Sequence, residues 1–242
     1  MKPFFTHHTT LLLDAMCFHA ARRNYHAAAQ CVPTIRKAES DFSISLQQET
    51  AILERHKDDP DSLYDEHERL AIMMGSQEYE IGLAYGSFLQ CLAIVHILCA
   101  TSLEAHINIR AKETLKGRFF RDFERISLEA KWLFLPKLLG IAGFEPGAEP
   151  FQSFARLIKH GNEIVHYKGR KEEWNRQGGV PSFLEKLGFT LEAAENSLDC
   201  VRNMITALAN QLHQETPRWL HIEEDGYFGS EFELHFRRDL SA

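Results

Sequence analysis

An all-α, up-and-down helical bundle is the fold this 242-residue sequence predicts, on three observations. Apolar residues recur at intervals of three and four through most of the chain, the spacing of one helical face. The stretch from residue 81 to 103, IGLAYGSFLQCLAIVHILCATSL, is uncharged and far too long for a strand. Alternating apolar and polar positions, the mark of a half-buried strand, occur only near the C-terminus. With 44% hydrophobic and 25% charged residues, the composition is globular and argues against wholesale disorder.

Taken in order, Leu11 to Val32 reads as a first helix, with Leu12, Ala15, Met16, His19, Ala20 and Arg23 spaced by threes and fours. Pro33 stands where a second helix begins, running to about Arg55 with Ile35, Phe42, Leu46 and Leu53 as its apolar members. Asp59-Pro60 sets a cap residue before a proline at the first helical position and starts a third, carrying Leu63, Leu70 and Ile72. Gly75, or the glycines at 82 and 86, read as a break ahead of the uncharged core helix, which runs to about Leu115. Phe119, Phe120 and Phe123 follow Gly117, and EAKWLFLPKLLGIAGFEPGAEP, residues 129–150, reads as a short helix and a Gly/Pro loop.

Phe151 to about Lys168 is a further helix, followed by a loop with Gly178, Gly179 and Pro181. Thr190 caps the last long helix, with Glu192 in its first turn. There Leu191, Ala194, Leu198, Val201, Ile205, Leu208 and Leu212 form an a/d seam over three heptads. Packing along a bundle is the plain meaning of that seam, and a dimer interface the sharper one. Beyond Pro217, RWLHIEEDGYFGSEFELHF alternates around Asp225-Gly226 as a small β-hairpin would. Its run GSEFEL also resembles a translated cloning polylinker, so the tail carries little functional weight. The domain organisation expected is an N-terminal helical arm over 1–75, a helical bundle over 76–216 and a tail over 217–242.

Several function classes are disfavoured. With 27 Lys and Arg against 34 Asp and Glu, the net charge of −7 is unlike a non-specific nucleic-acid coat, so any RNA contact needs a local basic patch. Five scattered cysteines without a C-x-x-C pair fit reduced thiols, not a disulfide framework or a zinc site. The N-terminal MKPFFTHHTTLLLDAM lacks a signal-peptide core and cleavage site, and the expectation is a soluble cytoplasmic protein. Residues 81–103 are long enough to span a bilayer. Gln90 and His96 near their middle, and acidic flanks at Glu78, Glu80 and Glu104 without a basic cluster, favour a buried core helix and no membrane. Thirteen histidines include no H-x-x-x-H or H-E-x-x-H spacing, and no phosphate loop, nucleophile elbow or dinucleotide fingerprint occurs, so neither metal nor cofactor is expected.

The informative stretch is FQSFARLIKHGNEIVHYKGR, residues 151–170. On a helix, Phe151, Phe154, Leu157, Ile158, Gly161, Ile164 and Val165 form one broad apolar arc. Asn162 and His166, four apart, share a stripe at its border, with Lys159 on the same polar side one turn earlier. An imidazole held beside packed residues suits general acid/base chemistry near neutral pH. The plainer role for the same histidine is to cap or bridge helices.

LIKHGNEIVHYK resembles the motif helix of HEPN-domain proteins, in which an Arg-Asn pair precedes a histidine, the R-N-x-x-x-H form of R-x4–6-H. SLEAHINIRAKETL, residues 102–115, is similar to the earlier helix of that domain, and KWLFLPKLLG, residues 131–140, to its connecting helix and loop. The resemblance covers about residues 80–215. It implies an all-α bundle, usually dimeric, with the motif helices of two protomers facing each other. Many relatives are metal-independent ribonucleases, often toxins or anti-phage effectors, and others serve as binding or assembly modules.

Carried over, His166 takes the catalytic histidine position and Asn162 the motif asparagine, while Lys159, Lys168 and Arg170 are the candidate substrate-binding cations. The partners this implies are RNA, a second copy of the chain, and an antitoxin or other protein. The sequence departs from the pattern at the residue before Asn162, where Gly161 replaces arginine, and no histidine has an arginine at the required earlier spacing. That removes a bidentate phosphate contact and transition-state stabilisation commonly worth several kcal/mol. Two expectations follow: a degenerate protein of RNA-binding or ribonuclease ancestry, active in stress or phage defence if catalysis survives as a metal-independent endoribonuclease, or a non-catalytic homodimeric scaffold.

Overall fold

In the computed structural model, residues 8–57, 60–168, 182–222 and 232–235 are described. Two very long helices, α1 (Leu13–Arg55) and α2 (Pro60–Thr114), make up the first half of the chain. The expected boundary at Pro33 is not there: the proline sits inside α1, and the helix continues through it. Nor do Gly75, Gly82 and Gly86 break α2. Each glycine costs roughly 1 kcal/mol relative to alanine in a helix interior and an internal proline roughly 3, and neither sum outweighs a long packed face.

The chain forms two compact units, residues 24–92 and residues 1–23 with 93–242. Their boundaries fall inside α1 and α2, not in a loop near residue 75, where the sequence reading set the end of an N-terminal arm.

In the unit of residues 24–92, the two helices pair antiparallel. Glu39 accepts a hydrogen bond from Tyr85 at 2.6 Å, Glu49 lies 3.4 Å from His67, and Glu66 takes Arg55 at 3.3 Å and His56 at 2.8 Å. Burial and the Glu39 carboxylate push the Tyr85 hydroxyl up to about 12. Ala28, Ile35, Ser45 and Ile52 are buried on α1, with Phe42 half-buried. Their intervals are seven, which is twice 3.5, and ten, which is seven plus three, the a-and-d spacing of helices that wind about each other. Leu46 and Leu53, expected in the apolar face, are exposed because they lie one residue off this seam.

The other unit is the bundle. Its short helices are α3 (Arg118–Glu124), α4 (Leu128–Leu138), α5 (Phe151–Val165), α6 (Ser182–Leu187) and α7 (Leu191–Gln211), followed by a single 3₁₀ turn at Arg218–Leu220. Ser127 caps α4 by accepting from the Ala130 amide at 3.2 Å, and Thr190 caps α7 by accepting from Ala193 at 3.1 Å, as the sequence predicts for Thr190. Val95, Cys99, Leu103, Ile107 and Ala111 bury one stripe of α2. By length and composition α2 is apolar enough to cross a membrane, yet only 22% of its most apolar window is buried. The buried core helix that the sequence suggests is therefore buried along one face.

The centre of the bundle is aromatic. Trp132 of α4 lies 5.6 Å from Phe144 and 6.0 Å from Phe154, and Phe18 of α1 lies 5.6 Å from Trp219. The α7 seam residues Ala194, Leu198, Val201, Ile205 and Leu208 are buried within this unit, which settles the plainer of their two meanings. Gln211, at the end of α7, clamps the loop after α4 by accepting from the Gly143 amide at 2.7 Å and donating to its carbonyl at 3.0 Å.

Strands β1 (His8–Leu11) and β2 (Phe232–His235) pair antiparallel, His8 opposite His235 and Leu11 opposite Phe232. The tail strand thus pairs with a segment from the other end of the chain and not within a local hairpin; the turn expected at Asp225-Gly226 lies outside the described residues. All five cysteines are free thiols.

The α7 cap supplies a direct test of how this unit is held. Thr190→Ala is expected to lower unfolding free energy by about 1 kcal/mol, read as a lower urea midpoint at unchanged slope.

Candidate functional site

Helix α5 is anchored through its first half. Phe151, Phe154 and Leu157 are buried against the aromatic centre, Ile158, Gly161 and Ile164 are half-buried, and Val165 is 65% exposed, so the predicted apolar arc is packed most closely over its first two turns. A second anchor lies on the opposite flank at His160. Its ring is 5.1 Å from that of His96 on α2, and a Cβ on Gly188, between α6 and α7, would lie 2.6 Å from its Nδ1. Gly188 also has φ +72, so this corner requires glycine both for its backbone and for the approach of the ring.

His96 is fully buried and doubly bonded, Nε2 to the Gly188 carbonyl at 2.7 Å and Nδ1 to Ser197 Oγ at 2.9 Å. A carbonyl only accepts, so Nε2 carries the hydrogen, and the one hydroxyl hydrogen of Ser197 is shared between Nδ1 and the Ala193 carbonyl, 3.0 Å from the same Oγ. Burial lowers the His96 pKa to about 4 against the opposing pull of the Gly188 carbonyl, with His160 adding to the lowering. Burial also lowers that of His160, helped by Lys159 and Arg156.

On the polar side of α5, Lys159, Asn162 and His166 line one cleft of 380 Å³ with Glu163 and with Glu129 of α4. Three of the five site residues read from the sequence are thereby brought together. The helix ends at Val165, short of the expected Lys168, and His166 is its C-cap residue, its amide bonded to the Asn162 carbonyl at 2.9 Å. With φ −103 and ψ 16 the backbone has barely left the helical path, which keeps the imidazole beside Asn162. Lys168 is exposed beyond the helix and is not part of the cleft lining, and Arg170 lies outside the described residues.

A second hollow of 320 Å³ adjoins the first, sharing Glu129, Ile158 and Asn162 and adding Glu104, Gly161 and Val165. An added Cβ on Gly161 would meet nothing within 4 Å, so among the described residues none packs against this glycine.

The electrostatics of the two hollows are acidic. Glu104, Glu129 and Glu163 border them, and Lys159 is the one Lys or Arg among their described linings. Arg156, one turn before Lys159, is held by Glu149 at 2.9 Å and Ser153 at 2.7 Å. Glu104 is itself bound by Lys131 of α4, 1% exposed, whose Nζ donates to it at 2.6 Å. Sequence reasoning missed Lys131 and Glu129. A lysine inside the apolar run KWLFLP was the available sign that a carboxylate had to meet it.

No protein-family model matches the chain, and neither does any curated protein or solved structure. The resemblance therefore rests on the residues of α2, α4 and α5 themselves.

A separate polar cluster lies in the core, where His106 Nδ1 meets Asp14 Oδ2 at 2.9 Å and Ser102 donates to the Asp14 carbonyl at 2.8 Å. The His106 ring stacks on Trp132 at 15° between planes. These groups line neither hollow, and their chemistry is structural: each buried polar atom named here is satisfied by another. Among the described residues no three His, Cys, Asp or Glu side chains are grouped to hold a metal ion.

The lowered His96 pKa predicts a pH dependence. Because the folded value of about 4 lies below the ordinary 6.5, the unfolded chain binds more protons between them. The contribution is full above pH ~6.5 and is lost as pH falls toward ~4, by about 3 kcal/mol in all. His96→Gln should flatten that slope in chemical denaturation followed across this range; an unchanged slope would exclude His96 as its source.

Proposed function

We propose that this chain is a HEPN-like helical protein of ribonuclease ancestry that works as a non-catalytic binding module. The observation that carries the reading is the composition of the α5 cleft. It retains the histidine and asparagine of the motif, His166 and Asn162, but has Gly161 at the arginine position and Glu129 and Glu163 beside Lys159. A phosphate in this cleft would meet one ammonium and two carboxylates. Lys159 offers a point charge where a guanidinium would make two parallel bonds, so it does not replace the missing fork.

An endoribonuclease reading has a specific observation of its own. His166, Asn162 and Lys159 share one accessible cleft, so an acid/base group, an amide and a cation stand together. On that reading His166 moves the proton at the 2′-hydroxyl or leaving oxygen, and Lys159 contacts the phosphate. Either reading places the protein with RNA, a second copy of itself or another protein as partner, and neither calls on a metal or an organic cofactor.

The two readings separate on a single assay, cleavage of a pool of structured and single-stranded RNAs in EDTA. The wild type is expected to leave the pool intact, and so is His166→Ala. Gly161→Arg returns the guanidinium to a position with open space around it, and should raise RNA binding or cleavage above wild type. Cleavage by the wild type that vanishes in His166→Ala would instead establish the nuclease.

A further inference from the structure

In the unit of residues 24–92, the side of α2 turned away from α1 is exposed among the described residues. At 100° per residue, Ile72, Gly75, Tyr79, Gly82, Leu83 and Gly86 fall within about 60° of Tyr79, opposite the buried Leu70. Ile72 is 70% exposed, Tyr79 68% and Leu83 55%. A Cβ at Gly75, Gly82 or Gly86 would meet nothing within 4 Å, and none of the three has the positive φ that calls for glycine. No contact among the described residues accounts for three residues that weaken an exposed helix in so short a span. No charged residue follows Glu80 on α2 until Glu104.

We propose that this face docks a second copy of the chain, antiparallel, about a two-fold axis passing beside Tyr79. In such a pair, residues equally far before and after position 79 face one another across the contact. Ile72 then meets Gly86 and Leu83 meets Gly75, so each protruding side chain enters a place where the other helix has none. Glu68 falls opposite Gln90, a hydrogen-bonding match. A parallel pair would set Ile72 on Ile72 and Leu83 on Leu83 and leave the glycines facing each other over a gap. The antiparallel contact is isologous and closes on itself, which suits a dimer.

The face from Ile72 to Gln90 is about 28 Å long at the helical rise per residue. Glu78 and Glu80 flank it on either side, and the two-fold brings Glu78 near its own copy on one flank and Glu80 near its own copy on the other. Their repulsion is screened by salt, so this dimer tightens as ionic strength rises, the reverse of one held by ion pairs. The proposal does not depend on what the α5 cleft binds.

The test is sedimentation velocity of the full chain across a dilution series at low and high salt, without detergent or lipid. The wild type should be dimeric and more so at high salt. Gly86→Leu and Gly75→Leu should each weaken association roughly tenfold or more. The melting temperature of the dilute monomer should hold or rise, because leucine is the better helix former and has open space on this face. Tyr79→Cys, on the axis, should cross-link to itself under oxidation above the level set by the wild-type thiols, and Glu80→Cys should not. A wild type that is monomeric throughout overturns the proposal, as does association untouched by Gly86→Leu. A chain that is monomeric in water but floats with phosphatidylcholine vesicles would assign the face to lipid and overturn it equally.

Discussion

With its Nε2 hydrogen committed to the Gly188 carbonyl and its Nδ1 to the Ser197 hydroxyl, the ring of His96 ties α2 to the α6–α7 corner and to α7. Its edge contact with His160 adds α5 to the same junction. Four segments from distant parts of the sequence thus take their positions from one neutral imidazole. The cleft follows from it, because α5 is packed on Phe151, Phe154 and Leu157 at one end, and His160 with the half-buried Ile158 and Ile164 steadies the turns that carry Lys159, Asn162 and His166. Gly188 is the complement of that arrangement. Its backbone supplies the acceptor for His96, and its missing side chain leaves room for His160.

Much of the bundle was legible in the sequence, and the parts that were not share a physical cause. The α7 seam, the Thr190 cap and the α4 and α5 helices follow from local pattern and capping chemistry, and all are present. Pro33 and the α2 glycines misled because propensity is a local cost of a few kcal/mol, while each long helix is held by packing distributed along its length. Leu46 and Leu53 misled for a related reason: a period of 3.6 and a period of 3.5 diverge over six turns, and the pairing of α1 with α2 follows the shorter one. The strand pair at His8–Leu11 and Phe232–His235 joins segments more than 200 residues apart, a pairing no local window records.

The candidate site divides in the same manner. Asn162, His166 and Lys159 lie on one helix and were readable as a stripe. Glu129, Lys131 and Glu104 come from α4 and α2, and only tertiary packing brings them beside that stripe. Their effect is to reverse its character, since a motif that in isolation looks ready for phosphate is set among carboxylates. The buried Lys131 does not offset this, because its ammonium is committed to Glu104 in a pair that would be costly to break.

The division of the chain also bears on the order in which the protein is made. Residues 24–92 close by antiparallel pairing between neighbours in sequence and are complete as soon as they leave the ribosome, the kind of local topology that folds quickly. The bundle is discontinuous. Phe18 emerges with the first helix, yet its partner Trp219 follows about 200 residues later, on the order of 10–40 s at typical rates of synthesis. Through that interval the N-terminal turns of α1, with Ala15, Phe18 and Ala21, wait for the core that will cover them. A nascent chain of this design therefore carries a finished hairpin beside an unfinished apolar surface, and that surface is what a ribosome-associated chaperone would find.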